Sequence, residues 1–113
     1  MEFLVVNLKY YHPSSCVALA NVEIEIENAI KAKLKAIKFI HGYGSHGIGG
    51  KICQEVHRKL IQLKKQGKIK NFILGSEWNI SNEKTLNLLF KCPTAANDED
   101  LNHNNNGITI VVL

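Results

Sequence analysis

The pattern of apolar and polar residues along the chain predicts four short strands and three helices. Continuous apolar runs predict buried strands at Glu2–Leu8, Ala36–Ile40, Ile69–Leu74 and Ile108–Leu113. Apolar residues at helical spacing predict helices at Cys16–Lys35 and Lys51–Gln66, and a shorter one that Ser81 caps and that ends near Lys91. The residues before the first helix, Pro13-Ser14-Ser15, are typical of a helix start. Val22–Glu27 alternates with period two, but helical spacing continues beyond it, which favours a helix there.

This alternation of strands and helices indicates an α/β fold in a single domain, 1–113. We expect a two-layer sandwich: a four-stranded, mostly parallel or mixed sheet with two main helices, and a short extra helix in the last connection. Ile108–Leu113 is continuously apolar and is expected to be central. In the extra helix, Leu86, Leu89 and Phe90 are expected to face inward, and Thr94–Asn106 is expected to be a surface loop with little reason to order.

Composition narrows the class of protein without naming a function. Apolar residues make up 45% of the chain and charged residues 21%, which is typical of a globular domain. No apolar run approaches the roughly 20 residues of a membrane span, and the start lacks the basic region of a signal peptide. The widely spaced Cys16, Cys53 and Cys92 indicate reduced thiols. We therefore expect a soluble, cytoplasmic protein, a monomer or weak homo-oligomer, with no membrane partner.

The basic residues are concentrated in the middle of the chain. The net charge is +4, but residues 31–70 carry eleven Lys or Arg against Glu55 alone. Such a concentration favours a polyanionic partner, although a solvated lysine-rich helix face has the same composition. Lys51, Arg58, Lys59 and Lys65 are the candidates on the predicted helix for contacts to phosphates, which carry no sequence information. Cys53 lies in this segment and is the one cysteine with an electropositive setting.

A glycine-rich loop, His41–Lys51, joins the second predicted strand to the basic helix. Its glycines allow main-chain N–H groups to turn toward a ligand, and a helix N-terminus favours an anion, so a phosphate is the expected guest. Gly42-x-Gly44-x-x-Gly47 also matches the dinucleotide fingerprint, with Glu77 as a ribose ligand, but a lone match is weak. A flexible turn without a ligand is the remaining alternative.

The same loop resembles a known family. Ile37-Lys-Phe-Ile-His-Gly-Tyr-Gly-Ser-His-Gly47, followed by a basic amphipathic helix, resembles the small-MutS-related (Smr) domain, whose hallmark loop is His-Gly-x-Gly-x-Gly. Asn106–Leu113 is similar to the closing glycine-plus-strand motif of that family. Asn7-Leu8-Lys9 falls where the family has Leu-Asp-Leu-His-Gly.

The resemblance implies a two-layer α/β sandwich similar to the C-terminal domain of a bacterial translation initiation factor. It also implies binding of structured DNA or of RNA, with nicking or endoribonuclease activity in some members. This sequence departs from the family at the first motif, where Asn7 replaces an aspartate and Lys9 a histidine, with His12 out of register. Gly107 stands alone in place of a glycine pair, and the third glycine of the loop arrives one residue late. These departures put cleavage in doubt.

The candidate site residues follow from the loop and from the resemblance. His41 and His46 are the catalytic candidates, because an imidazole with a pKa near 6.5 suits proton transfer; His41 could equally order the loop by hydrogen bonding. His57 and His103 are expected at the surface, and Tyr43 and Trp78 are candidates for stacking on bases, Trp78 equally for packing on the sheet. The expected nucleic-acid contacts are Gly42, Tyr43, Gly44, Ser45, Gly47, Lys51, Arg58, Lys9, Asn7 and Gly107.

No cofactor and no metal-ligand set is predicted, since Asp98-Glu99-Asp100 is expected to be solvated; a divalent metal stays an open alternative. The leading hypothesis is a nucleic-acid-binding protein that reads the backbone of DNA or RNA, with endonuclease or endoribonuclease activity as an extension. The alternatives are a non-catalytic module that docks on RNA or on a nucleoprotein such as the ribosome, and a nucleotide-binding enzyme.

Overall fold

The computed structural model describes residues 2–9, 15–42 and 48–113, with side chains described at 2–9, 16–42 and 52–113. Its strands and helices are β1 (Phe3–Asn7), α1 (Ser15–Lys31), β2 (Ala36–Ile40), α2 (Ile48–Lys65), β3 (Asn71–Leu74), α3 (Glu83–Lys91) and β4 (Ile108–Val112). Two 3₁₀ turns lie at Gly75–Glu77 and Pro93–Asn97. The predicted Pro13-Ser14 helix start lies outside the described residues.

The four strands form one mixed sheet in the order β1-β2-β4-β3. β1 runs parallel to β2, whereas β4 lies antiparallel between β2 and β3. β1, β2 and β3 therefore all finish at one end of the sheet, where β4 begins; we call it the glycine end, because Gly42 and Gly107 lie there. The predicted α/β class, the mixed sheet and the central place of the last strand are confirmed.

Helices α1 and α2 pack on one face of the sheet and enclose the larger core. Val22, Ile26, Val56 and Leu60 are buried against strand residues such as Phe39. This arrangement of sheet and two main helices is consistent with the predicted two-layer fold. None of the described helices is long and apolar enough to cross a bilayer.

Both main helices end in the same hydrogen-bonded turn. After α1, Leu34 N donates to Ala29 O and Lys33 has φ +60°; after α2, Lys68 N donates to Leu63 O and Gly67 has φ +74°. In each case a residue in the left-handed region stops the helix and reverses the chain. α1 therefore ends at Lys31, four residues before the predicted boundary.

The opposite face of the sheet carries a second core, covered in part by α3. Here the inward positions are Thr85, Leu88 and Leu89, with Thr85 and Leu88 fully buried. The expectation that Leu86 and Phe90 face inward is wrong, since Leu86 is exposed and Phe90 is 92% exposed. Residues 85, 88 and 89, together with Cys92, form the buried stripe at helical spacing. The apolar residues Leu86, Leu89 and Phe90 lie close together in the sequence and suggested a different face of the helix.

The connection after α3 is ordered, contrary to the expectation for Thr94–Asn106. Lys38 projects from β2 into this second core and is buried, and its ammonium pairs with Asp98 at 2.9 Å and with Asp100. Asp98 also accepts a hydrogen bond from the Trp78 indole at 3.0 Å, and Asp100 accepts one from the Asn105 amide at 2.9 Å. Asp98 and Asp100, which were expected to be solvated, therefore hold the connection against the sheet, whereas Glu99 is exposed as expected.

Candidate functional site

Three of the predicted contact residues meet at the glycine end of the sheet. Lys9 follows β1, Gly42 follows β2 and Gly107 precedes β4, and the parallel pairing of β1 with β2 brings them together. They line a cleft of about 530 Å³, completed by Ile40, His103, Asn104, Asn105 and Asn106. Its lining among the described residues carries an ammonium, an imidazole and three side-chain amides but no carboxylate. A cleft of this composition suits an anionic ligand.

The main-chain amides at the base of this cleft are satisfied within the protein. The N–H groups of His41 and Gly42 both donate to Gly107 O at 3.0 Å. Gly107 N donates to Asn105 Oδ1 at 2.8 Å, and Lys9 N to Asn7 Oδ1 at 2.9 Å. The expectation of free loop amides is therefore wrong at Gly42, because the closing strand already caps that N–H.

Much of the predicted glycine loop lies outside the described residues. This holds for Tyr43, Gly44, Ser45, His46 and Gly47, for the side chain of Lys51, and for His12. α2 begins at Ile48, so Gly49 and Gly50 belong to the helix rather than to the loop. Arg58 is exposed on α2 and is not part of the cleft lining.

His41 is buried, with 0% of its surface exposed, and both of its ring nitrogens have partners. Its Nδ1 lies 2.7 Å from Gly42 O and its Nε2 lies 2.8 Å from the Thr109 hydroxyl. Because a carbonyl only accepts, Nδ1 carries the proton and the lone pair lies on Nε2. Burial is the main cause that lowers the pKa of His41, to about 4, against the opposing hydrogen bond to Gly42. The geometry therefore favours the loop-ordering role of His41 over proton transfer to a bound substrate.

The structure adds His57 and Thr109 to this region, which the sequence interpretation missed, and brings Cys53, which it had singled out, next to them. His57, expected at the surface, is half-buried on α2, and its Nε2 lies 2.9 Å from the Thr109 hydroxyl. The Cys53 Sγ lies 3.9 Å from the same nitrogen, and the rings of His41 and His57 meet edge-on at 5.4 Å between centroids. Two signals were available: the i, i+4 spacing of Cys53 and His57, and the single hydroxyl of Thr109 in an apolar strand.

These contacts form one directed hydrogen-bond chain. Since His41 Nε2 has no proton, the Thr109 hydroxyl donates to it, and that oxygen accepts from Nε2–H of His57. Burial lowers the pKa of His57, so the neutral ring that this chain needs is favoured, and burial raises the pKa of the Cys53 thiol. The cluster joins β2, β4 and α2 beside the glycine end.

Seven of the eleven basic residues of the segment 31–70 lie at the other end of the sheet. We call it the lysine end: the end where β2 and β3 begin and β4 finishes. There Leu113 N donates to Lys35 O at 3.0 Å and Lys70 N to Val112 O at 2.9 Å. Seven exposed lysines lie in the turns and helix ends that surround it, namely Lys31, Lys33, Lys35, Lys64, Lys65, Lys68 and Lys70.

Two other lysines of the basic segment form ion pairs with carboxylates of the protein itself. Lys38 is buried with Asp98 and Asp100, and Lys59 pairs with Glu23 of α1. The hydrogen bond and the charge of Lys59 lower the pKa of Glu23. Lys59 is partly exposed in this pair, so its contact to phosphates stays a prediction. The seven residues of the lysine end form no ion pair with another described residue.

Two further candidates have structural partners. Trp78 is buried, stacks on Phe3 at 6.4 Å between ring centroids, and donates to Asp98, so packing on the sheet accounts for it rather than stacking on bases. Glu77 accepts from Leu74 N at 3.0 Å and pairs with Lys84 at 2.7 Å. Because β4 separates β2 from β3, Glu77 does not follow the strand adjacent to β2, as a dinucleotide ribose ligand would.

Comparison of this chain with protein-family models, with curated proteins and with solved structures finds no match.

Proposed function

We propose that this protein binds nucleic acid through the sugar–phosphate backbone, and that the lysine end of the sheet is the main contact surface. The observation that carries the proposal is the gathering of seven exposed lysines around one end of a four-stranded sheet. Lysine-rich surfaces bind DNA or RNA by neutralising phosphates and releasing counterions, which requires no base contacts.

The topology explains why these lysines lie at the same end of the sheet. The chain returns to the same end of the sheet after α1 and again after α2, and each return carries lysines on both sides of the turn. Lys35 and Lys70 are each hydrogen-bonded through the main chain to the last residues of β4, so the two turns are neighbours. Acidic residues also lie nearby: the Glu2 carbonyl accepts from Lys35 N at 2.8 Å, and Glu23 and Glu27 line a pocket with Lys68.

The cleft at the glycine end is a second candidate for a phosphate contact, favoured by its carboxylate-free lining. It holds one described cation, Lys9, against seven at the lysine end. The resemblance of the glycine loop to the Smr domain supports a nucleic-acid partner without deciding between the two ends. Because His41 is buried with both ring nitrogens engaged, we propose binding without proton transfer by His41.

A matched pair of triple variants tests the proposal. Lys35→Gln, Lys68→Gln and Lys70→Gln together remove three charges from the lysine end, and Lys9→Gln, Lys51→Gln and Arg58→Gln remove three from the predicted loop and helix sites. The affinity for a labelled DNA duplex is measured against salt concentration. Each phosphate contact contributes about 0.9 to the slope of log affinity against log salt, so we expect the first variant to lower that slope by about 3 and the second to leave it nearly unchanged.

Three results would contradict the proposal. An equal or larger decrease of the salt slope in the second variant would place the contact surface at the glycine end. Absence of salt-dependent binding by the unaltered protein to duplex DNA, single-stranded DNA and structured RNA would remove nucleic acid as the partner. Cleavage of any of these substrates that disappears in His41→Asn would overturn the statement that His41 transfers no proton.

A further inference from the structure

His41, Cys53 and His57 lie close together, and all three carry side chains that can bind metals. Binding of the nucleic-acid backbone does not use them. One ring nitrogen of each histidine and the Cys53 Sγ all lie within 4.8 Å of one another. We propose that these three side chains form a binding site for Zn²⁺. The proposal is independent of nucleic-acid binding, because none of the three residues lies at the lysine end.

The donor set is one that zinc uses in proteins. Two imidazole nitrogens and one thiolate sulfur are typical Zn²⁺ ligands, and a fourth position is filled by a further protein group or by water. In a tetrahedral site, nitrogen–nitrogen and nitrogen–sulfur separations are about 3.3–3.6 Å. The Cys53 Sγ to His57 Nε2 distance is 3.9 Å, so this pair needs a shift of a few tenths of an ångström.

Position along the helix accounts for the pairing of Cys53 with His57. The two residues are four apart on α2, which places their side chains on the same face, one turn apart. His41 approaches that face from the end of β2, and its ring lies nearly perpendicular to that of His57, at 89°. An ion held by all three would link the end of β2 to α2, across the segment 43–47.

His41 is already oriented as a ligand. Its Nδ1–H donates to Gly42 O at 2.7 Å, which fixes the ring and leaves the Nε2 lone pair directed into the cluster. Histidines that bind metals almost always donate their other ring N–H to a carbonyl or carboxylate in this way. Burial makes this arrangement rigid, since His41 has no exposed surface.

Metal binding changes the protons of the cluster in a defined way. The Thr109 hydroxyl, now 2.8 Å and 2.9 Å from the two Nε2 atoms, gives up both hydrogen bonds, and the fourth position is left to water. The proton of His57 moves from Nε2 to Nδ1, so that Nε2 presents a lone pair. The Cys53 thiol releases its proton to solvent as the zinc–sulfur bond forms, so binding liberates a proton.

Metal titration of the full chain tests the site. The protein is reduced, treated with a chelator, and titrated with Zn²⁺ in competition with a chromogenic chelator; Co²⁺ serves as the spectroscopic probe of thiolate ligation. We expect one equivalent to bind, with a thiolate-to-cobalt charge-transfer band and a release of protons. Cys53→Ala and His57→Ala are each expected to weaken binding by about 100-fold or more.

Cys16→Ser and His103→Ala are the matched controls, because both residues are exposed and lie outside the cluster. They should bind Zn²⁺ as the unaltered protein does. In the Cys16→Ser background, Zn²⁺ should also slow alkylation of Cys53, a readout that needs no change at the cluster. The proposal is overturned if Cys53→Ala binds as tightly as Cys16→Ser, if no stoichiometric binding occurs, or if Zn²⁺ leaves the alkylation rate of Cys53 unchanged.

Discussion

At the scale of single residues, two of the described polar side chains that are buried, Lys38 and Thr109, have partners far away in the sequence. Thr109 connects two histidines that precede it by 68 and 52 positions, and Lys38 reaches Asp98 across 60 positions. Every buried side-chain nitrogen or oxygen in the described part of the chain has a hydrogen-bond partner. Such complete satisfaction is what makes buried polar groups tolerable in a small core.

The first prediction concerns the protonation of His41. Its folded pKa of about 4 lies below the value of 6.5 expected when the chain is unfolded. The unfolded chain therefore takes up a proton first as the pH falls, and between pH 6.5 and 4 the free energy of unfolding should drop by about 3 kcal/mol. Below pH 4 the contribution of neutral His41 to the free energy of unfolding is fully lost. Above pH 6.5 this contribution is fully present.

Urea unfolding across this pH range measures the change in free energy. The carbon shifts of the His41 ring, recorded by NMR with a chelator present, report its charge directly. We expect a neutral ring down to about pH 4. A titration midpoint near 6.5 would mean that His41 is open to solvent, and would restore it as a candidate for proton transfer.

The sequence reveals which buried residues are unusual but not what they contact. A single lysine in the strand Ala36–Ile40 and a single threonine in Ile108–Val112 are visible as polar interruptions of apolar runs. Their partners could not be derived, because hydrogen bonding between distant residues depends on strand order and register. The same limit explains why His57 was expected at the surface although its spacing from Cys53 was plain.

At the scale of elements, hydrophobic periodicity predicted the strands and the main helices because those elements are long or continuously apolar. It failed on the phase of α3, where Leu86, Leu89 and Phe90 suggested a stripe but Thr85, Leu88 and Cys92 form it. A threonine and a cysteine carry little weight in an apolar pattern, and nine residues are too few to correct the phase. It also failed on residues 94–106, where ion pairs and hydrogen bonds add to the burial of Ala95 and Leu101 in the second core.

Lys38 anchors residues 94–106 to the sheet, so its replacement should destabilise the protein. Lys38→Met removes the ammonium and leaves the carboxylates of Asp98 and Asp100 buried without their cation. Breaking one partner of a buried ion pair costs about 3–5 kcal/mol, so the free energy of unfolding should fall by that order. Urea denaturation of the variant and the unaltered protein measures the difference.

Lys84→Met is the matched control for this experiment. Lys84 pairs with Glu77 at 2.7 Å, but about a third of each side chain is exposed. Exposed pairs contribute about 0–1 kcal/mol, and we expect a loss in that range. An equal loss in the two variants would show that Asp98 and Asp100 do not depend on Lys38.

At the scale of the whole molecule, the mixed topology separates the two surfaces that the sequence analysis treated as one. The glycine loop and the lysines are adjacent along the chain, and this adjacency suggested a single anion site. The strands run between them, so the glycine residues lie at one end of the sheet and seven lysines at the other. Charge counted along a sequence cannot show this separation, because it depends on where each turn returns to the sheet.

Mapping the contact surface by NMR shows directly whether nucleic acid binds at the lysine end or at the glycine end. Unlabelled DNA duplex is titrated into ¹⁵N-labelled protein at low salt, and shift changes of the main-chain amides are followed. We predict that the largest changes occur at residues 31–35, 64–70 and 112–113, at the lysine end, and that they diminish as salt is added. Changes confined to residues 7–9, 42 and 103–107, or no change at any salt concentration, would contradict the account.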